Sequence, residues 1–283
     1  MKKYVDIILI LVSFLWGIKP IVMKWSMNSI SAEQYNMLKF IFAVVGAWIF
    51  MLSTRQFKKI DKKDYKKISF ISIFGFFIFQ WLYAVGLKKT MASNASIIMG
   101  TLPILVLILN VILGIEKLTF KRVSSIVISF VGIIFVIISS GGFSFGGQNF
   151  IGNMIILVSA MGYTIYTVFS KDLVRKYPAI QITTIAITIS TFLMMFVVKF
   201  NIDFSVIDFR LFISLVYTGI ITTFIANYLW TWALKRSSST RVALYNNLNP
   251  VFTVFFAYFI LGESINVYTI VGILAILTGL LLK

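Results

Sequence analysis

The sequence contains no cysteine and no histidine among its 283 residues, and only 12% of them are charged. Without those two side chains the chain has no disulfide, no thiolate nucleophile, no imidazole proton relay and none of the usual ligand sets for zinc or haem. These absences argue against a redox enzyme or a metallohydrolase, and we expect no metal and no cofactor. The sequence also lacks a Walker-type phosphate loop, so we expect no ATP requirement.

Charge is scarce because apolar residues make up 59% of the chain, with a mean hydropathy of +0.96. A soluble domain carries about a quarter charged residues, whereas a membrane-spanning helix needs roughly 20 mostly apolar ones. The apolar runs and their breaks predict an all-α polytopic membrane protein with ten transmembrane helices. We place these spans at 4–25, 33–52, 68–89, 91–114, 119–139, 149–170, 179–200, 210–234, 238–261 and 264–282.

The charges that do occur are mostly basic, and their distribution predicts an orientation. The chain has 26 lysines and arginines against 9 acids, a net charge of +17. If the N-terminus is cytoplasmic, 19 of the 26 basic residues fall on the cytoplasmic side, as the positive-inside rule requires. We therefore expect a protein of the plasma (inner) membrane with both termini in the cytoplasm. The densest basic run, 55–67, is explained by orientation or by contact with anionic lipid, and no nucleic-acid partner is needed.

The two halves of the sequence resemble each other at a constant offset of 147 residues. The pairs are Leu87 and Leu234, Lys88 and Lys235, Pro103 and Pro250, Glu116 and Glu263, Ile126 and Ile273, and Gly132 and Gly279. We assign the two repeats to residues 1–141 and 149–283. Each contains five predicted spans, an odd number, so the second repeat should cross the membrane in the opposite sense. Such inverted repeats are typical of secondary transporters, whose sites lie between the halves.

These residues also carry a family resemblance. The stretch 86–118, its counterpart 233–263, and Trp16 with Gly17 in the first span resemble the EamA-type repeat of the drug/metabolite transporter superfamily. The resemblance implies ten helices, cytoplasmic termini, and a central cavity lined mainly by the first, third, fourth, sixth, eighth and ninth helices. This sequence departs from the family pattern at Lys39, a position of the second helix where family members often have an arginine. The first span also lacks the membrane-embedded glutamate of the small multidrug exporters, which argues against coupling through such a carboxylate.

Polar residues recur at helical spacing inside several spans, and they indicate which faces look inward. They line a substrate site or join helices by hydrogen bonds, and the sequence leaves both interpretations open. The predicted substrate-binding residues are Trp16, Lys19, Gln80, Tyr83, Asn94, Tyr163, Asn227, Trp230, Tyr245 and Asn246. Pro103 and Pro250 each interrupt a helix and are either hinges of the transport cycle or passive kinks.

Two lysines fall within predicted spans, each about 9 Å below the outer boundary at 1.5 Å per residue. At that depth a lysine either snorkels to the headgroups or faces the cavity, and this is open for both Lys19 and Lys39. Lys19 is the better candidate ligand, because Ser13, Trp16 and Pro20 occupy an adjacent arc of its helix. In the cavity it would attract a carboxylate or phosphate.

Together these features predict a secondary transporter, not an enzyme, that moves small polar metabolites by alternating access. Amino acids or related zwitterions fit best, with the carboxylate on Lys19 or Arg241. Another substrate class is the alternative: a nucleobase, a nucleotide-like anion or a lipophilic drug. Small-residue stripes on the fifth and tenth spans serve intramolecular packing or a homodimer contact, so the chain is a monomer or a homodimer.

Overall fold

The computed structural model describes residues 2–27, 30–139, 147–261 and 266–282. Throughout these ranges the regular structure is helical and no strand occurs, as expected of a backbone that must satisfy its own hydrogen bonds in lipid. The α-helices are α1 (Lys2–Ser26), α2 (Ala32–Thr54), α3 (Lys62–Phe70), α4 (Ile78–Lys89), α5 (Ala92–Met99), α6 (Leu102–Ile112), α7 (Phe120–Ser139), α8 (Gly147–Lys176), α9 (Ala179–Val197), α10 (Phe209–Leu215), α11 (Ala226–Leu234), α12 (Ser239–Leu244), α13 (Leu248–Leu261) and α14 (Val267–Leu281).

Seven helical segments of the described chain are long and apolar enough to cross a membrane. They are Lys3–Ser26, Ala32–Thr54, Lys62–Lys89, Asn94–Ile112, Phe150–Lys176, Ala179–Val197 and Phe209–Leu234. The other three predicted spans are also helical, formed by α7, by α12 with α13, and by α14. The membrane protein and its helical class are therefore confirmed, whereas the count of ten spans stays a prediction.

Four of the predicted spans contain a break or a change of helix type, and these irregularities lie at equivalent places in the two repeats. A π-helical stretch, Ile71–Phe77, joins α3 to α4, and a second, Val216–Ile225, joins α10 to α11. Helices α5 and α6 separate at residues 100–101, and a 3-10 turn, Tyr245–Asn247, separates α12 from α13. When 147 is added to the residue numbers of the first repeat, its π-helical stretch and its helix break fall on those of the second repeat. The two repeats therefore resemble each other in backbone conformation as well as in sequence.

Pro103 and Pro250 explain the second pair of breaks. A proline has no N–H and clashes with the carbonyl four residues earlier, so it leaves that carbonyl without its helical partner. Here each proline stands near the start of the helix that follows the break, α6 and α13. The carbonyls that lose their partners belong to Met99 and Asn246, which are themselves repeat equivalents.

Helices α7 and α14 cross through their small residues in a reciprocal contact. A methyl group at Gly132 would lie 2.5 Å from the carbonyl oxygen of Gly272, and one at Gly279 would lie 2.5 Å from the carbonyl oxygen of Ser125. The two helices run antiparallel, since residue 132 meets 272 and residue 125 meets 279. Because each contact becomes the other when the offset of 147 is applied, the contact is symmetric between repeats. The small-residue stripes thus pack against each other within the chain.

The other helices also pack mainly across the two halves. Helix α1 packs against α13 and α11, and its counterpart α8 packs against α4, α5 and α6. Helix α2 packs against α9 and against the second π-helical stretch. The interface between the halves therefore runs through the centre of the molecule.

Candidate functional site

A small cavity lies on this interface, near the middle of the helices. Its volume is about 30 Å³, roughly the share of a single water molecule in the liquid. A cavity of this volume is too small to hold an organic molecule. The lining residues are Trp16, Lys19, Phe79, Gln80, Tyr83, Ser96, Met99, Tyr163, Asn227, Asn246 and Asn249. They come from the first, third, fourth, sixth, eighth and ninth predicted spans, the six that the family resemblance implies.

Aromatic side chains form one wall of the cavity. The ring of Tyr163 lies 4.4 Å from that of Phe79 and 5.6 Å from that of Trp16, measured between centroids. The Phe79 ring lies 5.9 Å from Tyr83, which extends the wall. Edge and tilted contacts at these distances hold aromatic rings firmly, so the wall offers a rigid apolar surface to a ligand.

Asn227 lines the cavity, but the protein itself uses its hydrogen-bonding groups. Its side-chain nitrogen donates to the carbonyl oxygens of Thr222 and Thr223, at 3.0 and 2.9 Å, inside the second π-helical stretch. Its oxygen accepts from the Tyr163 hydroxyl at 3.0 Å. A π-helix shifts the backbone register and leaves carbonyls that need another donor. Asn227 therefore stabilises the helix distortion and positions Tyr163.

Asn246 has a similar role at the proline break. Its side-chain nitrogen donates to the carbonyl of Met99 at 2.6 Å, the carbonyl that Pro103 deprives of its helical partner. Its side-chain oxygen accepts from the amide nitrogen of Asn249 at 2.7 Å. One repeat thus closes the backbone defect of the other, which ties the two broken helices together at the cavity.

Two lysines meet at Gln80, and neither snorkels to the surface. Lys19 is 4% exposed and Lys39 is fully buried. Their ammonium nitrogens donate to the same oxygen, Gln80 Oε1, at 3.4 and 2.9 Å. The Lys19 nitrogen also lies 4.6 Å from the centre of the Tyr83 ring, within cation–π range. In the part of the chain that the structure describes, neither lysine forms an ion pair.

Hydrogen-bonding capacity remains unused at only a few points of this lining. The amide nitrogen of Gln80 and the side-chain oxygen of Asn249 are buried without a partner among the described residues. No acid occurs among the described residues that line the cavity. Buried polar atoms without partners are costly, so these two are the places where a ligand gains most.

Seven of the predicted substrate-binding residues lie in this lining: Trp16, Lys19, Gln80, Tyr83, Tyr163, Asn227 and Asn246. The other three lie outside it. Trp230 is fully buried behind the wall, 5.1 Å from the Trp16 ring, and its indole donates to Thr167. Asn94 lies near Thr90, and Tyr245 is buried at the start of the 3-10 turn. Pro103 and Pro250 also lie outside the lining.

Four lining residues were not among the predicted ligands: Phe79, Ser96, Met99 and Asn249. Asn249 follows Asn246 by three residues and so shares its helix face, a signal that the sequence does contain. Ser96 and Met99 carry no comparable signal, because they precede a break whose geometry redirects the helix. Lys39 stands behind Gln80, and its link to the site depends on a contact between helices that spacing along one helix does not reveal.

Polar contacts join the helices at both ends of the molecule, at repeat-equivalent positions. At the end predicted to be cytoplasmic, Arg241 of α12 donates to both carboxylate oxygens of Asp6 in α1, at 2.9 and 3.1 Å. The positions 147 residues away, Asn153 and Asn94, lie near the opposite end, where Thr90 donates to Asn153 at 2.6 Å. One end is thus joined by an ion pair and the other by neutral hydrogen bonds.

Comparison with known proteins gives two matches to one family model. The model of the EamA-like transporter family matches residues 3–138 and again residues 150–282. An uncharacterized transporter of Archaeoglobus fulgidus is 28% identical over 281 residues, covering 99% of this chain and 98% of that protein. The uncharacterized transporter YyaM of Bacillus subtilis is 25% identical and covers 99% and 93%.

A solved crystal structure shares the fold. It matches with a TM-score of 0.83 over 99% of this chain and 97% of that one, at 16% sequence identity. The arrangement of helices described above is therefore one that an experimental structure also contains.

Proposed function

The chain belongs to the EamA-like transporter family, a group within the drug/metabolite transporter superfamily. From this premise we propose that it is a secondary transporter of small polar metabolites. We propose that it works by alternating access at the cavity between its repeats. The observation that carries the proposal is the convergence of six spans from both repeats on one polar and aromatic cavity in the middle of the molecule. Transporter sites built from repeats lie at such interfaces near the bilayer midplane.

The ten spans are proposed to form two repeats of opposite orientation. The antiparallel, reciprocal contact of α7 with α14 supports this, because a twofold axis that exchanges two antiparallel helices lies perpendicular to them. For helices that cross a membrane, that axis lies in the membrane plane, which is the geometry of an inverted repeat. The matching helix distortions at the 147-residue offset support the same arrangement.

Alternating access is supported by the polar contacts at the two ends. In such a cycle one end of the site opens while the other stays closed. The Asp6 to Arg241 pair joins one end, and the equivalent residues Asn153 and Asn94, which are linked through Thr90, lie near the other end, so the two halves can exchange these roles by rocking. We place the end with Asp6 and Arg241 on the cytoplasmic side of the plasma membrane, because most of the basic residues flank that end.

Amino acids and related zwitterions are the substrates that the lining suits on chemical grounds. Lys19 provides a partner for a carboxylate, whereas tyrosine faces and the Asn249 oxygen provide partners for an ammonium group. A nucleotide-like anion is the second candidate, favoured by the two lysines at Gln80. The aromatic wall offers a contact surface for the apolar part of either candidate substrate, the zwitterion or the nucleotide-like anion.

Counterflow in proteoliposomes tests the transport proposal. Purified full-length protein is reconstituted with unlabelled amino acid inside the vesicles, and uptake of labelled amino acid is followed against empty vesicles. We expect saturable uptake that depends on the internal substrate and that falls when Trp16, at the centre of the site, is replaced by alanine. An alanine at Trp25, which is 42% exposed at the end of the same helix, is the control. Uptake that is not saturable, or that does not respond to internal substrate, contradicts a carrier.

A further inference from the structure

The amino groups of two buried lysines lie on one side of the cavity, and among the described residues neither is paired with a carboxylate. Lys19 and Lys39 come from different helices, α1 and α2, and both point at Gln80 Oε1. Their nitrogens are no further apart than the sum of those two short distances. Burying one cation without a counter-charge is costly, and placing a second beside it adds repulsion. This arrangement gains most from a negative group that arrives with a ligand.

The lysines also determine which way the Gln80 amide points. An amide can be rotated by half a turn without changing its shape, but an ammonium only donates, so the atom that both lysines contact must be the oxygen. The amide nitrogen is therefore on the other side, and it is buried with no partner among the described residues. Lys19 and Gln80 both line the cavity, and this nitrogen is a donor that a ligand there can use.

The remaining polar groups of the lining do not compete for this role. Asn227 and Asn246 donate to backbone carbonyls, and the Tyr163 hydroxyl donates to Asn227. The unused acceptor, Asn249 Oδ1, is a single neutral oxygen. A lining with charged donors, no acid among the described lining residues and apolar ring faces selects a ligand with an anionic end and an apolar body.

We propose that Lys19, Lys39 and Gln80 form an anion subsite, so that the transported compound carries a carboxylate or phosphate and has no net positive charge. The proposal rests on the proposed function and narrows its substrate class. Lys19 and the Gln80 nitrogen contact the anion. Lys39, which does not line the cavity, is a positioning residue that holds the Gln80 amide and adds positive charge behind it.

A panel of ligands with one common body tests this subsite. The probes are 3-phenylpropionate, its neutral amide, 3-phenylpropylamine, phenylalanine and phenyl phosphate, each added at millimolar concentration to the purified full-length protein during thermal unfolding. We expect a higher unfolding temperature with 3-phenylpropionate or phenyl phosphate, little change with the amide and none with the amine. The two anions separate carboxylate from phosphate specificity. Equal stabilisation by the amide or amine, or no stabilisation by either anion, overturns the proposal.

Variants of the lysines assign the effect to the subsite. Lys19→Met should weaken binding of the anion about tenfold or more, as expected for loss of a charged hydrogen bond. Lys24→Met, on the same helix but outside the cavity, is the matched control and should bind normally. If Lys19→Met fails to fold, Lys19→Gln serves in its place. For Lys39, a positioning role predicts weaker binding in Lys39→Met and recovery in Lys39→Arg. Normal anion binding by both Lys19→Met and Lys39→Met contradicts the subsite.

Counterflow with the same probes distinguishes the two proposals. If phenylalanine or the amine is exchanged and Lys19→Met has no effect, transport stands and the anion subsite is wrong. If 3-phenylpropionate binds through the lysines but no probe of the panel is exchanged, the subsite stands and the carrier proposal fails for this class of compound.

Discussion

Replacing Gln80 by glutamate puts a carboxylate of the protein itself where we infer that the substrate's anion binds. The substitution keeps the shape of the side chain, and one of its oxygens takes the place of the oxygen that already lies 3.4 Å from Lys19 and 2.9 Å from Lys39. We therefore expect Gln80→Glu to stabilise the ligand-free protein and at the same time to abolish binding of 3-phenylpropionate. If Gln80 only filled space between helices, its replacement would not both stabilise the ligand-free protein and abolish binding of 3-phenylpropionate.

The expected stabilisation follows from the two contacts. Each contact now joins a lysine ammonium to a neutral oxygen, and a carboxylate turns it into an ion pair, whose attraction is about 4 kcal/mol at about 4 Å for an effective dielectric constant of about 20. With two such ion pairs, and after the cost of burying the carboxylate, the net gain is about 2 kcal/mol. For a chain of 283 residues that corresponds to a rise of roughly 3 °C in unfolding temperature.

Thermal unfolding of the purified variant measures this rise, with and without 3-phenylpropionate. Gln56→Glu is the control, since it makes the same change of charge at an exposed position outside the site. Combining Gln80→Glu with Lys39→Met should remove part of the gain, because the new carboxylate loses one partner. A fall in unfolding temperature for Gln80→Glu, or unchanged binding of the anion, refutes the inference that the two lysines lack a counter-charge.

Three further predictions concern the framework around the site. Asn246→Ala leaves the Met99 carbonyl unpaired and should cost about 1–3 kcal/mol, seen as a lower unfolding temperature, while the anion still binds. Gly132→Ala should destabilise the α7 to α14 contact by about 1–3 kcal/mol, whereas Gly46→Ala, whose methyl would meet ordinary contacts at 3.5 Å, should change little in the same assay. Because the chain has no cysteine, Ser96→Cys provides a unique cavity label; adding Arg241→Gln should increase its labelling rate from the Asp6 side, and an unchanged rate contradicts a closing role for that pair.

The sequence predicts the helices well in their apolar middles and less well at their ends. The third predicted span begins at residue 68, but the helix begins at Lys62, and the sixth predicted span ends at residue 170, while its helix continues to Lys176. Hydropathy marks the part of a helix that suits lipid, whereas the helix itself extends into water on charged residues. The π-helical stretches leave no mark in the hydropathy pattern at all.

The sequence could predict which helix faces point inward, but not which hydrogen-bond partners the side chains on those faces would have. Asn227 and Asn246 both line the cavity in the structure, yet the side-chain donors of both are used by backbone carbonyls. Those carbonyls need a side-chain donor because of a π-helical stretch in the span of Asn227 and a proline break in the other repeat, and the spacing of polar residues reveals neither. Lys39 illustrates the converse, because depth along its own helix fits snorkelling equally well, and only its contact with Gln80 brings it to the site.

The two end contacts differ in chemistry but not greatly in strength, and this matters for a carrier. The Asp6 and Arg241 side chains are each 30% exposed, so water weakens their attraction, and such pairs contribute about 0–1 kcal/mol. The buried bond from Thr90 to Asn153 is neutral and contributes about 0.5–1.5 kcal/mol. A strong buried ion pair at one end would hold the molecule in one state. In the alternating-access cycle that we propose, two contacts of similar, modest strength leave both openings within reach of thermal motion, so that a substrate bound at the proposed anion subsite shifts the balance between them.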